Sequence, residues 1–200
     1  MKIIGSQTSP FVRAVRTSCE ELGLTYELVE TSFYAKMQEK DHAVINENNP
    51  LMKVPILMDG EQKILDSRVI ISYLQEKYET RPVFENSFEN KFDAENVISV
   101  IYGIIDAGVL RFIMGLEGLD MDRGYMRRSF DRMKAGLDHL DSRAHLGRSF
   151  GIPEMTLVCA LEWFKKRDII DWSGHTNIVK TYECWKDRPS LIKTRIPEQA

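Results

Sequence analysis

Residues 54–67, VPILMDGEQKILDS, carry the pattern that decides the fold of the first half of the chain. Two short apolar runs, Val54–Met58 and Lys63–Leu65, flank the dipeptide Asp59-Gly60. Apolar runs on either side of an Asp-Gly dipeptide are typical of a β-hairpin. Apolar residues then recur at helical spacing from Ser67 to Tyr78. The stretch therefore predicts two antiparallel strands followed directly by a helix.

The residues before this hairpin predict a strand, a helix and a second strand. Lys2–Gly5 is a short apolar run, and Pro10–Leu22 places apolar residues on one helical face. Thr25–Glu30 alternates apolar and polar residues, as a half-buried strand does. Two strands joined by a helix require a parallel crossover. With a looser segment before the hairpin, we expect a small mixed sheet with helices packed against it.

The second half of the chain predicts helices only. Residues 79–90 are polar and include Pro82, and we interpret them as a linker. Helical spacing then predicts four helices, over residues 92–116, 122–144, 152–167 and 178–186, and an irregular tail from residue 188. The predicted domains are therefore an α/β domain over 1–78 and an all-helical domain over 91–200.

The third of these helices has a clear start signal. Gly151 stands at the N-cap position, and Glu154 at the third helical position can reach back to the cap amide. Pro153 is tolerated in the first turn because its missing N–H would have no helical partner there.

Composition excludes several classes of protein. Of the 200 residues, 43% are hydrophobic and 28% are charged, as in ordinary soluble domains. The net charge of −3 argues against a general nucleic-acid-binding protein. We find neither a signal-peptide pattern nor an apolar run approaching the ~20 residues of a membrane span. We expect a cytoplasmic protein.

The cysteines and histidines predict no metal site. No Cys-x-x-Cys pair occurs, which excludes a dithiol centre and a zinc-finger pattern. Each cysteine falls in a helical pattern, where a buried apolar role is expected. The residues concerned are Cys19, Cys159 and Cys184, with His42, His139, His145 and His175 scattered without ligand spacing.

Ser9 is the candidate residue for sulfur chemistry. It precedes Pro10, which favours extended geometry at Ser9 and the first helical position at Pro10. A helix N-terminus carries partial positive charge and lowers the pKa of a nearby thiol. A thiol substrate bound here, with Ser9 donating a hydrogen bond, would be held as thiolate, and Arg13 could add positive charge. Plain helix capping is the alternative.

Two further segments suit the ends of a peptide-like ligand. Val54-Pro55 opens a strand, and a cis bond there would leave the Val54 backbone free to pair with an extended ligand, while Lys53 could face its carboxylate. Asp66 and Ser67 start a helix, where Ser67 can bind a carboxylate and Asp66 an ammonium group. An edge-strand proline and an ordinary Asp-Ser cap are the alternatives.

Together, Ser-Pro-Phe-Val-Arg, Asn-Pro-x-x-Lys-Val-Pro and Asp-Ser resemble the glutathione site of the glutathione transferase superfamily. The resemblance is nearest to serine-type members, such as the plant tau class and bacterial proteins, and covers almost the whole chain. It implies an α+β fold class, with an N-terminal thioredoxin-like domain (βαβ-ββα) followed by an all-α helical-bundle domain.

The resemblance also implies roles for individual residues. Ser9 matches the catalytic serine that hydrogen-bonds the glutathione sulfur. The implied glutathione-binding residues are Phe11, Arg13, Lys53, Val54, Pro55, Asp66 and Ser67. The implied lining of the second-substrate pocket is Tyr102, Val109 and Phe112, for which core packing is the alternative.

The implied function is a cytoplasmic glutathione transferase of the detoxification type. Its bound thiolate would attack an apolar electrophile, with glutathione peroxidase as a further activity. Glutathione is the co-substrate, no metal is required, and the family is typically homodimeric. A non-catalytic binding or regulatory protein on the same fold is the alternative. A thiol-reducing type would need a cysteine near position 9, which this sequence lacks.

Overall fold

Four strands form one mixed sheet in the computed structural model, which describes residues 1–198. The strands are β1 (Lys2–Gly5), β2 (Glu27–Glu30), β3 (Ile56–Asp59) and β4 (Gln62–Leu65). The helices are α1 (Pro10–Glu21), α2 (Glu39–Asn48), α3 (Ser67–Tyr78), α4 (Lys91–Leu116), α5 (Gly124–Asp141), α6 (Ile152–Lys166), α7 (Thr176–Trp185) and α8 (Pro189–Lys193). The α+β fold class is confirmed. The last two residues of the predicted domain 91–200 lie outside the described residues.

The sheet has the strand order β2-β1-β3-β4. β1 and β2 are parallel neighbours joined by a crossover through α1, and β1 is antiparallel to β3. β3 and β4 form the predicted hairpin, in which Asp59 pairs with Gln62. Gly60 in the turn has a φ of 62°, a conformation that glycine adopts without steric cost.

The helices α1 and α3 pack on each other and on the sheet. The predicted apolar face of α1 is buried through Val12, Val15 and Cys19, and that of α3 through Ile70 and Leu74. Both helices therefore exist because an apolar stripe can be removed from water against β1, β3 and β4.

The helix α2 was not predicted from the sequence, which indicated only an irregular segment before the hairpin. A 3-10 turn at Tyr34–Lys36 precedes this helix, and Asp41 and Ile45 are its only buried residues among those described. An amphipathic periodicity is therefore almost absent. A local signal was present nonetheless, because the Gln38 N–H donates to the Asp41 carboxylate at 2.9 Å and closes a capping box.

The chain divides into two compact units, Met1–Val83 with the segment from Pro189, and Phe84–Arg188. We predicted one helical domain to residue 200 and an irregular tail, whereas the tail contains α8 and joins the first unit. Specific contacts with α1 explain this: Thr17 Oγ1 lies 2.8 Å from Thr194 Oγ1, and Lys193 pairs with Glu20 at 2.7 Å. Such contacts are long-range and have no periodic signature in the sequence.

The second unit is built from α4 to α7, with α4 packed on α5 and α6. Contrary to expectation, α4 is long and apolar enough to cross a membrane by length and composition alone. The buried face of α4 packs within this unit, as expected for a core helix. The predicted start of α6 is confirmed, because the Gly151 N–H donates to Glu154 Oε2 at 3.1 Å.

Two glycines of the second unit give a matched test of its packing. A Cβ at Gly136 on α5 would lie 2.4 Å from Ile104 Cγ2 on α4, whereas a Cβ at Gly103 on α4 would meet nothing within 4 Å. We expect Gly136→Ala to lower the free energy of unfolding by about 1–3 kcal/mol through overpacking. Gly103→Ala should raise it by about 0.5–1 kcal/mol through helix propensity. Urea unfolding measures both, and equal effects would contradict the close α4–α5 contact.

A polar cluster ties the hairpin turn to the end of α3. Asp59 Oδ2 accepts hydrogen bonds from Lys77 Nζ at 2.8 Å, Tyr73 Oη at 2.7 Å and Tyr78 Oη at 2.5 Å. These bonds, that from Lys77 first, lower the pKa of Asp59 to about 2. Because all three donors favour the ionised carboxylate, the cluster stabilises the fold only while Asp59 is charged.

The cluster therefore predicts an acid-sensitive contribution to stability. A depressed carboxyl pKa stabilises the folded state above the unfolded pKa, near 4, and this contribution is lost as the pH falls toward 2. We expect Asp59→Asn to cost about 2 kcal/mol at pH 6. The difference from the wild type should shrink between pH 4 and pH 2 in urea titrations. Glu61→Gln, which removes an exposed carboxylate in the same turn, is the control; a constant Asp59→Asn effect across this window would contradict the assignment.

Candidate functional site

The three segments identified in the sequence, around Ser9, Val54-Pro55 and Asp66-Ser67, lie at one edge of the sheet. Ile4 of β1 pairs with Ile56 of β3, and Ile56 pairs with Leu65 of β4. The end of β1, the start of β3 and the end of β4 therefore lie side by side. The loop that leads to Ser9 begins where β1 ends at this edge. Val54-Pro55 directly precedes β3, and Asp66 and Ser67 directly follow β4. The antiparallel registers thus bring together residues more than 50 positions apart.

Ser9 caps α1, as predicted. Its backbone is extended, with φ −77° and ψ 129°, and its Oγ accepts a hydrogen bond from the Val12 N–H at 3.4 Å. The side chain is half-buried. Since capping uses a lone pair of the hydroxyl oxygen, the hydroxyl proton can be donated to a ligand at the same time.

Gly5 allows two parts of the site to approach closely. A Cβ at this position would lie 2.5 Å from Val12 Cγ2 and 3.2 Å from Val54 Cβ. Any larger residue would push α1 or the segment before β3 away from the sheet. Sequence analysis interpreted Gly5 only as a strand end, and its tight surroundings had no sequence signal.

The Val54-Pro55 bond is cis. Val54 is half-buried and Lys53 is exposed, whereas Asn49, which sequence analysis did not assign to the site, is buried. The Asn49 amide donates to the Lys53 carbonyl at 2.7 Å, and Asn49 Oδ1 accepts from the Leu51 N–H at 2.9 Å. Asn49 therefore fixes the loop that carries Lys53 into β3. Its position before Pro50 was the available signal.

Asp66 has an unusual backbone conformation at the start of α3. Its φ is 70° and ψ is 131°, and its Oδ1 accepts a hydrogen bond from the Arg68 N–H at 2.9 Å. A non-glycine residue at positive φ is strained, and such strain is concentrated at functional sites. Asp66 is exposed, whereas Ser67, the first helical residue, is 2% exposed.

The electrostatics of this edge favour an anionic or zwitterionic ligand. Both α1 and α3 begin here, and the partial positive charge of a helix N-terminus attracts anions. The exposed Lys53 adds a positive charge and the exposed Asp66 a negative one. The arrangement can therefore bind a carboxylate or a thiolate at the helix starts and an ammonium group beside Asp66.

Arg13, which the resemblance implies as a glutathione-binding residue, contacts the C-terminal segment. It is fully buried, and its Nη2 donates to the Leu191 carbonyl of α8 at 3.2 Å. The guanidinium therefore holds the C-terminal segment against α1. Phe11, in the first turn of α1, is half-buried.

The residues expected to contact a second substrate lie on α4, within the second unit. Tyr102 is buried and Val109 is half-buried. Phe112 stacks edge-on against Trp163, with ring centroids 5.7 Å apart, and the Arg167 guanidinium lies 5.4 Å from its ring centroid. Packing within the unit thus accounts for much of the surface of Phe112.

A cavity of about 300 Å³ lies at the opposite end of the first unit, beside the carboxyl ends of α1 and α3. Its lining includes Glu20, Glu21, Tyr78 and Arg81. None of the three segments contributes to it. Within residues 1–198, no group of three or more His, Cys, Asp or Glu side chains could hold a metal ion.

Comparison with known proteins identifies the relatives of this chain. Residues 3–82 match the family described as "Glutathione S-transferase, N-terminal domain". The "Uncharacterized GST-like protein YibF" of Escherichia coli (strain K12) is 27% identical over 206 residues, covering 99% of this chain and 100% of the relative. A zeta-class glutathione S-transferase of Euphorbia esula is 31% identical over 138 residues, covering 67% of this chain and 60% of the relative.

A solved structure resembles the chain over nearly its whole length. It is a glutathione transferase family member from Pseudomonas fluorescens Pf-5 with bound glutathione, with a TM-score of 0.83, 26% identity and 98% coverage of both chains. Together with the sequence matches, it supports placing this chain in the glutathione S-transferase superfamily.

Proposed function

We propose that this protein is a serine-type glutathione transferase, in which the Ser9 hydroxyl holds the glutathione sulfur as a thiolate at the N-terminus of α1. The observation that carries this proposal is the pairing of Ile4 with Ile56 and of Ile56 with Leu65, because it brings the three segments that resemble a glutathione site to one edge of the sheet. The zeta-class glutathione S-transferase of Euphorbia esula and the glutathione-bound family member from Pseudomonas fluorescens Pf-5 support a glutathione transferase-like function.

Glutathione would bind this edge along its whole length. The cysteinyl unit would pair with the backbone of Val54 before Pro55, and the glycine carboxylate would face Lys53. The γ-glutamyl carboxylate would accept hydrogen bonds at the start of α3 from Ser67, and its ammonium group would pair with Asp66. Each ligand charge would then meet its complement.

The chemical step is activation of the bound thiol. Free thiols titrate near pH 8.5, so only a few per cent are thiolate at neutral pH. A pKa lower by ~2 units, worth about 2.7 kcal/mol, would make thiolate the major form. The Ser9 proton and the N-terminus of α1 favour the anion, as required for this shift. Phe11 would pack beside the tripeptide, and the buried Arg13 would contribute through its charge.

The thiolate would then attack an apolar electrophile and expel its leaving group. For this second substrate we propose Tyr102, Val109 and Phe112 of α4 as contacts. A hydroperoxide is the second electrophile to test. The thiolate would attack one peroxide oxygen, so that the O–O bond breaks, the alcohol leaves and glutathione sulfenic acid forms. A second glutathione would then attack this sulfur, which gives the disulfide and releases water. We further propose a cytoplasmic, detoxifying role, since the three cysteines are free thiols and suit a reducing compartment.

A homodimer is proposed on the resemblance alone, with analytical ultracentrifugation as its test.

Removing the Ser9 hydroxyl tests the catalytic assignment. We expect Ser9→Ala to lower kcat for conjugation to an activated aryl chloride by roughly 100-fold at neutral pH, and to abolish the ultraviolet thiolate band of bound glutathione. Ser9→Thr keeps both cap and hydroxyl and should retain activity.

Ser18→Ala is the matched control for this experiment. Ser18 lies on the same helix, and its Oγ donates to the Ala14 carbonyl at 3.1 Å. An undiminished rate in Ser9→Ala would refute the serine-thiolate assignment. Failure of the wild-type protein to bind immobilised glutathione would refute the binding function as well. Retention without any conjugation or peroxide reduction would favour a non-catalytic binding protein.

Asp66→Asn tests recognition of the γ-glutamyl ammonium group. Asparagine keeps the cap and tolerates positive φ, so the backbone of α3 should be unchanged. We expect the Kd of glutathione to rise about three- to tenfold with little change in kcat, because one exposed charge pair is lost. Calorimetry with N-acetylglutathione, which lacks the ammonium charge, is the control. An equal loss of affinity for both ligands would contradict the proposed pairing.

A further inference from the structure

The last residue of β2 holds the loop that leads to Ser9. Glu30 pairs with Gly5 in the parallel register of β1 and β2. From there its side chain reaches the loop, where Glu30 Oε1 accepts a hydrogen bond from the Gln7 N–H at 3.0 Å. The loop between β1 and α1 is therefore tied to a neighbouring strand directly before the residue that caps the helix.

The two amides that follow are satisfied from within the loop. The Thr8 N–H donates to Ser6 Oγ at 3.3 Å, and the Ser9 N–H donates to the Ser6 carbonyl at 3.0 Å. Ser6 is itself buried, and its Oγ lies 3.0 Å from Thr8 Oγ1. Three consecutive N–H groups thus have acceptors, and of these acceptors only Glu30 comes from another strand.

This arrangement limits what can stabilise an anion at the loop. Backbone N–H groups of a loop often form an anion-binding concavity. Here the amides of Gln7, Thr8 and Ser9 already have acceptors, so a sulfur anion at this loop would be bound by side-chain donors, of which the Ser9 hydroxyl lies at the start of α1. The position of that hydroxyl then depends on how firmly the loop is held.

We propose that Glu30 is a positioning residue for Ser9: by accepting from the Gln7 N–H it fixes the loop that aims the Ser9 hydroxyl at the substrate thiol. This inference rests on the proposed function. If Glu30 acts in this way, its side chain must accept a hydrogen bond but need not be charged. A negative charge near the thiolate would by itself disfavour ionisation, so the two effects on the thiol pKa have opposite signs.

Two substitutions at Glu30 separate these effects. Glu30→Gln keeps an acceptor oxygen and removes the charge, whereas Glu30→Ala removes both. We expect Glu30→Ala to lower kcat roughly three- to tenfold and to move the acidic limb of the kcat–pH profile, which reports groups in the bound complex, to higher pH. Glu30→Gln should keep kcat within about twofold of the wild type. The acidic limb of its kcat–pH profile should be unchanged or moved to lower pH.

Glu27→Ala is the matched control variant. Glu27 lies on the same strand at its other end, is exposed, and pairs with Lys2 at 3.2 Å, so its removal changes net charge equally without touching the loop. Its kcat and pH profile should equal those of the wild type. If Glu30→Ala and Glu30→Gln both move the limb to lower pH, Glu30 acts through charge and the positioning role is wrong. An unchanged profile in Glu30→Ala would overturn it equally.

Hydrogen exchange without glutathione tests the tether independently of any activity. The Gln7 amide should be protected in the wild type and in Glu30→Gln, and should exchange faster in Glu30→Ala. Equal protection in all three proteins would overturn the tether even if catalysis were impaired. If the wild type showed no conjugation, the proposed function would fail and with it the role of Glu30 in the reaction, whereas this measurement would still decide whether Glu30 holds the loop.

Discussion

The pairing of β3 with both of its neighbours is the constraint on which the candidate site depends. β3 contributes no proposed site residue, yet its register with β1 and β4 aligns the segments that do. In a strand, a shift by one residue turns every side chain to the other face. Ile56 and Leu57 point to opposite faces of β3 and are both fully buried, so a shift would displace both from their packing positions. Their packing therefore fixes where Ser9 lies relative to Asp66.

Sequence reasoning succeeded where a local rule determined the structure. The Asp59-Gly60 turn, the helix from Ser67 and the capping of α6 by Glu154 each follow from a few adjacent residues, and all three are present. It failed for α2, in which apolar periodicity is almost absent, and for α8, a short helix that contacts α1 from far along the chain. Within the site, the sequence indicated the segments, including Asn49, but not the roles of Asn49 and Glu30. These roles consist of hydrogen bonds to backbone groups whose positions only the fold defines.

In the first unit, the Asp59 cluster and the proposed ligand site lie at opposite ends of one small sheet. At the hairpin turn, Asp59 has its hydrogen bonds supplied by Lys77 and two tyrosines. At the other edge, the Asp66 carboxylate accepts a hydrogen bond from the Arg68 N–H of its own helix, with the Asp66 backbone in a strained conformation, and the residue remains exposed. The two carboxylates therefore differ in how fully the protein satisfies them. The exposed carboxylate of Asp66 is accessible to a ligand of opposite charge, and binding of such a ligand would stabilise the folded state.

Ser9 unites helix capping with the proposed chemistry. As a cap it accepts a hydrogen bond from Val12, which draws electron density from the hydroxyl oxygen and strengthens its O–H as a donor. A thiolate bound at that proton would in turn make the oxygen a better acceptor for the helix amide. Capping and anion binding then reinforce each other through one oxygen atom. The dependence runs in both directions, so a bound thiolate would also strengthen the start of α1.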